Sequence, residues 1–422
     1  MKRHRIGLAE KNVLIFVLVR GLSLAIPLLT LPVLSRAIKP SGFGMLALAQ
    51  SIAMYLSSVI DFGFNLTAIS SVAESRHEPQ RLRAIFWSIG ACRVLLMLAC
   101  VAILGPVCWV LGQTVEEREV IAMSGLLLVG VAMTPSWLYQ GLERGSSFAT
   151  LSLAPRLAIF PLIMLLVRRP EDTPRAAAVA FGAELAAGLL LFSYAWVRLV
   201  PGRPIVSGAL ARTEATRAFD AWLGTLLAIF TANLNPLLLR HLAGLNAVGV
   251  FSAADRLVRV VFSFYYPVAY AYQASVTRSW KENDDATGNA AIRKVMILLG
   301  TISLLFALGV QFFGSWIITL LFGASFAGSI PVLRVESLWL LFSGCSTVAI
   351  YFLYIARHQT RALRHKYLLA ACVHCVALVA LVHYFAAVGA AMALVVSQGL
   401  FAAILWSGIA KLRRAPRLQT AS

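Results

Sequence analysis

Twelve long runs of Leu, Ala, Val, Ile and Phe, separated by short clusters of charged residues, account for nearly all of this chain. They begin near residues 12, 43, 84, 118, 147, 174, 217, 246, 291, 330, 363 and 388. A transmembrane α-helix needs about 20 mostly apolar residues, and each run supplies them. The pattern predicts an all-α polytopic membrane protein with about twelve transmembrane helices. The first run follows a basic head of Lys2, Arg3, Arg5 and Lys11. It exceeds the 7–15 residues or so of a signal-peptide core and no small-residue cleavage site follows, so it is expected to remain as the first helix.

The longest polar interruption, 198–217, separates six runs from six. It predicts a six-helix bundle over 1–200, a cytoplasmic linker over 201–216, a second six-helix bundle over 217–411 and a basic cytoplasmic tail over 412–422. An internal echo supports the division. Pro32-Val-Leu-Ser-Arg36 followed by Gly44 and Ala49 returns as Pro236-Leu-Leu-Leu-Arg240 followed by Gly249 and Ala254, at an offset of 204 that becomes 205. With an even number of spans per repeat, the halves share one orientation and are related by a pseudo-twofold axis along the membrane normal. Pro27 and Pro32 in the first span and Pro236 in the seventh are expected to break these helices at matching places, where protein or a water-filled cavity must satisfy the freed backbone.

Composition narrows the function. Only 13% of residues are charged and 59% are hydrophobic, against about 25% charged in a soluble domain. A net charge of +19 invites a nucleic-acid reading, which the distribution of charge removes. The termini and the connections on their side carry 24 lysines and arginines, and the opposite connections carry eight. That asymmetry is the positive-inside bias and predicts cytoplasmic termini. No lysine precedes Ser or Thr, which excludes a Walker A loop. Six cysteines lie within the spans and read as reduced and structural. Cys372, His374 and Cys375 lack further nearby ligands, so no metal site is expected. No outward connection is long enough for a catalytic domain, which points to a transporter rather than an enzyme.

Five arginines remain inside the apolar runs: Arg20, Arg93, Arg156, Arg256 and Arg259. A guanidinium at bilayer depth costs about 2.5 kcal/mol or more, so such residues usually face a bundle interior or a water-filled path. Their planar fork grips phosphate oxygens in pairs. They predict a cationic cavity for an anion, the first three in the cytoplasmic half and Arg256 and Arg259 nearer the midplane. Arg20 and Arg93 are also placed where a long side chain can snorkel. On the eighth run Asp255 precedes Arg259 by one turn and is expected to pair with it, leaving Arg256 to meet the anion. Asp61, Asp255, Glu184 and Glu336 are candidates for proton or sodium coupling or for charge partners. Asp61 continues a polar stripe with Ser57 and Asn65, Glu184 stands among alanines, and Glu336 is placed to pair Arg334. Tyr265, Tyr266, Trp137 and Tyr139 are candidates for stacking on sugars.

The run Pro32-Val-Leu-Ser-Arg-Ala-Ile-Lys-Pro-Ser-Gly-Phe-Gly44, with Asp61-Phe-Gly-Phe-Asn65 and Pro135-Ser-Trp-Leu-Tyr-Gln-Gly-Leu-Glu143, resembles the polysaccharide transporter (Wzx-type) family of lipid-linked oligosaccharide flippases. That family belongs to the multidrug/oligosaccharidyl-lipid/polysaccharide exporter superfamily. The resemblance implies two six-helix bundles with alternating access in the bacterial inner membrane. It implies an undecaprenyl-pyrophosphate-linked oligosaccharide repeat unit as cargo, for O-antigen, capsule or exopolysaccharide synthesis, with membrane lipids, a polysaccharide polymerase and a chain-length regulator as partners. No cofactor is expected. The competing readings are a cation-coupled multidrug extruder of the same superfamily, which the buried arginines disfavour, and a membrane glycosyl enzyme such as a polysaccharide polymerase.

Overall fold

The computed structural model describes residues 2–282, 284–355 and 360–414, with side chains described from Leu29 to Ser407 apart from scattered positions. All assigned elements among the described residues are helical. Nine stretches among them are long and apolar enough to cross a membrane. Three, Leu29–Glu74, Asn233–Trp280 and His365–Ser407, are much longer than one crossing needs. Each contains a residue with non-helical backbone angles: Lys39 (φ 60, ψ 177), Gly244 (φ 82, ψ 174) and Ala386 (φ 47, ψ −124). Divided there, the described chain forms twelve successive passages: 2–38, 40–74, 79–111, 115–141, 145–166, 173–199, 208–243, 245–281, 285–322, 329–355, 360–385 and 387–414. They are numbered as helices 1 to 12 below. Several begin before their apolar runs, because flanking charged and alanine residues are themselves good helix formers.

The first and second of those breaks differ in cause from the expected proline kinks. The helix continues through Pro32 and Pro236, and the break comes later, at Lys39 and Gly244. Lys39 precedes Pro40, whose ring disfavours the α conformation in the residue before it. Gly244 adopts its positive φ without the penalty a Cβ would bring. The two residues are 205 apart, since 244 − 39 = 205, and have nearly the same angles. The backbone thus repeats at the offset found in the sequence. Pro27 lies outside the described side chains.

Helices 2, 4, 5, 8 and 10 are each interrupted, around Phe62-Gly63, 133–135, Ala158, Ser263-Phe264 and Leu338. Helix 4 opens on an N-cap in which Thr114 Oγ1 accepts from Glu117 N (3.2 Å), while Glu117 Oε2 accepts from Gln113 N just before the cap (2.6 Å).

The chain divides into two compact units, Met1–Leu237 and Leu238–Ser422. The first has an aromatic core of Phe64, Phe86, Trp137 and Tyr139 with Ile85 and Leu191 around it. Helices 4 and 6 approach at backbone distance: a Cβ on Gly188 would lie 2.2 Å from Gly130 O, and one on Gly130 would lie 2.5 Å from Glu184 O. Small residues permit such contact where lipid gives helices no hydrophobic drive to associate.

The unit boundary falls inside helix 7, whose early part packs in the first unit. Trp222 Nε1 donates to Ser58 O (3.0 Å), Tyr55 OH donates to Phe230 O (3.0 Å), and Ser71 Oγ donates to Glu214 Oε1 (3.0 Å). Of the predicted linker 201–216, only 201–207 is non-helical. Helix 7 starts at Gly208, and Ser207 Oγ accepts from Leu210 N (3.3 Å). The tail beyond Arg414 lies outside the described residues.

The second unit is joined by long-range polar bonds. Ser329 Oγ donates to Val250 O (2.7 Å), Tyr354 OH to Leu405 O (3.0 Å) and Trp406 Nε1 to Cys345 O (3.2 Å). Leu95, Trp109, Phe312 and Trp316 are exposed on helices 3 and 9, surfaces that a bilayer covers.

Candidate functional site

In the first unit the interrupted helices determine what the charges do. Met133 and Thr134 end the first part of helix 4, and Pro135 has no N–H with which to continue it. The break leaves carbonyls without helical partners. Arg93 supplies the donors. Its Nη1 donates to Thr134 O and its Nη2 to Val131 O, both at 2.7 Å. Asp61, the last residue before the break in helix 2, places Oδ1 3.6 Å from Arg93 Nη2. The Arg93 side chain is 2% exposed and lies mid-helix, so it pins helices 2, 3 and 4 together instead of snorkelling. Asp61 serves there as its counter-charge. Beside them Ser136 Oγ donates to Asn65 Oδ1, which ties the restart of helix 4 to helix 2.

Arg156 follows Pro155 at the interruption of helix 5. Its Nε and Nη2 donate to Glu184 Oε1 and Oε2 of helix 6, both at 2.9 Å. Glu184 is therefore a bidentate partner rather than an isolated carboxyl. Both side chains are more than a third exposed. Arg20 lies outside the described side chains.

In the second unit Asp255 and Arg259 pair across one turn of helix 8, with Arg259 Nε donating to Asp255 Oδ2 (2.5 Å). Glu336 of helix 10 is brought to the same pair by the packing of helix 10 along helix 8, where Ser329 bonds Val250 O and the Trp339 ring lies 4.9 Å from that of Phe262. It does not turn to Arg334. Two residues apart on a helix point different ways, and Arg334 is exposed while Glu336 is buried. Arg256 is half-buried beside Asp255 and engaged in its turn, so it is not the unengaged cation that the spacing suggests.

The aromatic candidates separate by burial. Trp137 is 1% exposed, Tyr139 0% and Tyr265 0%, and in this structure they pack helices rather than present a face to a sugar. Tyr139 OH donates to Leu191 O (2.7 Å), and Tyr265 OH bonds Ser303 Oγ and Leu340 O. Tyr266 is 47% exposed. Its ring lies 6.2 Å from that of Tyr351, which lies 5.7 Å from Tyr270. Tyr351, on the wide-turn segment Ala349–Ile355, carried no signal in its apolar surroundings. His374 Nδ1 is bonded to Ser397 Oγ (3.0 Å), and no three potential metal ligands cluster among the described residues.

The arrangement differs from a row of bare cations. Arg93 is committed to the fold, whereas Arg156 is paired with Glu184, and Arg259 with Asp255 and with Glu336 close by. A family of polysaccharide biosynthesis proteins matches residues 9–273, more than half of the chain. The chain belongs to this family. It is 24% identical over 342 residues to a protein of Escherichia coli (strain K12) named "Putative O-antigen transporter", covering 80% of this chain and 81% of that one. A protein of the same name from Shigella dysenteriae is 22% identical over 394 residues, covering 92% and 97%. Among solved structures, the lipid II flippase MurJ in an inward closed conformation superposes with a TM-score of 0.75 at 12% identity, over 96% of this chain and 88% of that one. An inward-facing multidrug resistance MATE family transporter of the MOP superfamily gives 0.72 at 15% identity, over 95% and 96%. At such identities the structures establish the fold of a multi-pass membrane protein and leave the cargo to the family and the site.

Proposed function

We propose that this protein is a flippase that carries an undecaprenyl-pyrophosphate-linked oligosaccharide from the cytoplasmic to the periplasmic leaflet of a bacterial inner membrane. The observation that carries the reading is that an arginine within the spans of each unit, Arg156 in the first and Arg259 in the second, is engaged by a carboxylate, Glu184 and Asp255 respectively, in a chain of the polysaccharide biosynthesis family. A pyrophosphate offers the same fork of oxygens as a carboxylate and more charge, so it can take over either arginine without leaving it unsatisfied. Tyr266, Tyr270 and Tyr351 offer open rings for sugar faces. Relatives named as O-antigen transporters, matched over most of their length, support an O-antigen or similar surface polymer as the destination. The positive-inside bias supports cytoplasmic termini. No step of this transport requires bond making, and the protein acts as a transporter, not an enzyme.

The test is reconstitution of the full chain in proteoliposomes with a fluorescent undecaprenyl-pyrophosphate oligosaccharide, whose outward exposure is read by quenching with an impermeant reagent. Protein-dependent exposure is expected, and Arg259→Gln is expected to slow it at least tenfold while leaving the protein folded. Absence of exposure together with transport of a cationic dye would overturn the reading in favour of a drug extruder.

A further inference from the structure

Glu336 has a position that the flippase reading does not require. It lies on helix 10 in an apolar span, and its side chain is 1% exposed. Its Oε2 is buried and receives no hydrogen bond from any donor. An acceptor left in this way costs about 1–3 kcal/mol, and more when it carries charge. Helix 10 runs beside helix 8 between the Ser329–Val250 bond (2.7 Å) and the Phe262–Trp339 ring contact (4.9 Å), which sets Glu336 beside the stretch of helix 8 that carries Asp255, itself committed to Arg259 at 2.5 Å. As two carboxylates, the neighbours would repel in a low-dielectric setting. As one carboxyl and one carboxylate, they satisfy each other, because a protonated Oε2 becomes the donor that the site lacks.

The surrounding charges support this arrangement. Asp255 and Arg259 act on Glu336; Asp255, Glu336 and Tyr266 act on Arg259; and Asp255 acts on Arg256. Polar groups on helices packed against helix 10 are engaged elsewhere, Gln311 with Arg334 O and Ser397 with His374. We infer that Asp255 and Glu336 together form a proton-binding site whose occupancy is linked to the binding of an anion at Arg259. A proton from water bonds to Glu336 Oε2 and is donated to Asp255. On release that O–H bond breaks and the proton returns to water, and no other covalent change occurs.

The linkage follows from a shared partner. An anion that draws Arg259 from Asp255 removes the counter-charge of the carboxyl pair, which then holds its proton more tightly. Loss of the proton leaves Glu336 and Asp255 as two neighbouring carboxylates, which draw Arg259 back as their counter-charge and weaken the anion. Reciprocity requires the two effects to be equal in size. The proton site itself is independent of the cargo, whereas its link to a pyrophosphate rests on the flippase reading.

Infrared difference spectroscopy of the full chain in lipid, titrated from mildly acid to alkaline buffer, tests the site without any substrate. A protonated carboxyl band present at neutral pH is expected to vanish as the pH rises, to be absent in Glu336→Gln and to shift or vanish in Asp255→Asn. A wild-type protein without that band, or a band that survives both substitutions, overturns the site. Loss of the band on adding sodium at constant pH overturns it in favour of a sodium site. Binding of undecaprenyl pyrophosphate in the same lipid then tests the linkage. Affinity is expected to fall as the pH rises, by up to about tenfold per pH unit for one linked proton, with a shallower slope in Glu336→Gln. Equal slopes overturn the linkage. Absence of any binding sinks the cargo reading while the infrared arm still decides the proton site.

Discussion

Arg93 shows why a buried charge can serve structure before it serves transport. Its two bonds go to carbonyls at a proline-disrupted break, where the regular i→i+4 ladder stops, and its counter-charge is a carboxylate at the break in helix 2. Removing one member of such a pair leaves the other uncompensated, which costs about 3–5 kcal/mol. Arg93→Met is therefore expected to lower the thermal unfolding temperature in detergent sharply, and adding Asp61→Leu should recover part of the loss. Unchanged stability in the single variant would remove the pinning role. Among the aromatics, Tyr265→Phe is expected to destabilise by about 1–3 kcal/mol, because Ser303 and Leu340 O lose a buried partner. Tyr266→Ala should leave unfolding unchanged and reduce flipping in proteoliposomes. The opposite pattern would exchange the roles of the two neighbours.

At the scale of the element, backbone conformation sets the breaks. Gly63 has φ +78 beside the interruption of helix 2, and a Cβ there would lie 2.6 Å from Ala218 O. Gly63→Ala combines a positive-φ penalty of about 1–2 kcal/mol with a clash against backbone and is expected to lower the unfolding temperature. Gly90, in helix 3, has open space around its Cβ position, so Gly90→Ala should be neutral or stabilise by up to about 1 kcal/mol. Equal effects of the two substitutions in the same thermal assay would show that conformation does not govern these sites. Gly130 and Gly188 act by a different means, since their missing side chains let helices 4 and 6 touch. The sequence displayed these glycines without showing which of them meet a neighbouring backbone.

On the whole molecule, the distribution of charge predicts which connections face the cytoplasm. In a cysteine-free variant, a single cysteine at Arg203, in the connection 200–207, should react with an impermeant thiol reagent only after the inner face is opened. One at Arg169, between helices 5 and 6, should react from the outside. Reversed labelling would invert the topology and with it the proposed direction of transport. The repeated half is visible at this scale too. The echo around Pro32 and Pro236 brackets two backbone breaks of nearly the same geometry, at Lys39 and Gly244. Prolines marked the neighbourhood of these breaks but not their position, because a proline bends a helix it remains part of, whereas Pro40 acts on the residue before it.

The chain's apolar periodicity determined its membrane class and its helices, because burying backbone in lipid leaves few options and the length of a crossing is fixed by the bilayer. It also placed Asp255 one turn before Arg259, a pairing written in local helical spacing. Tertiary structure alone decided the rest. Arg156 found Glu184 on another helix, Arg93 found two carbonyls exposed by a distant break, and Glu336 met Asp255 rather than Arg334. Such partners are selected by helix packing, where the cost of an unpaired charge in an apolar interior is high and the identity of the partner is not encoded in any local pattern.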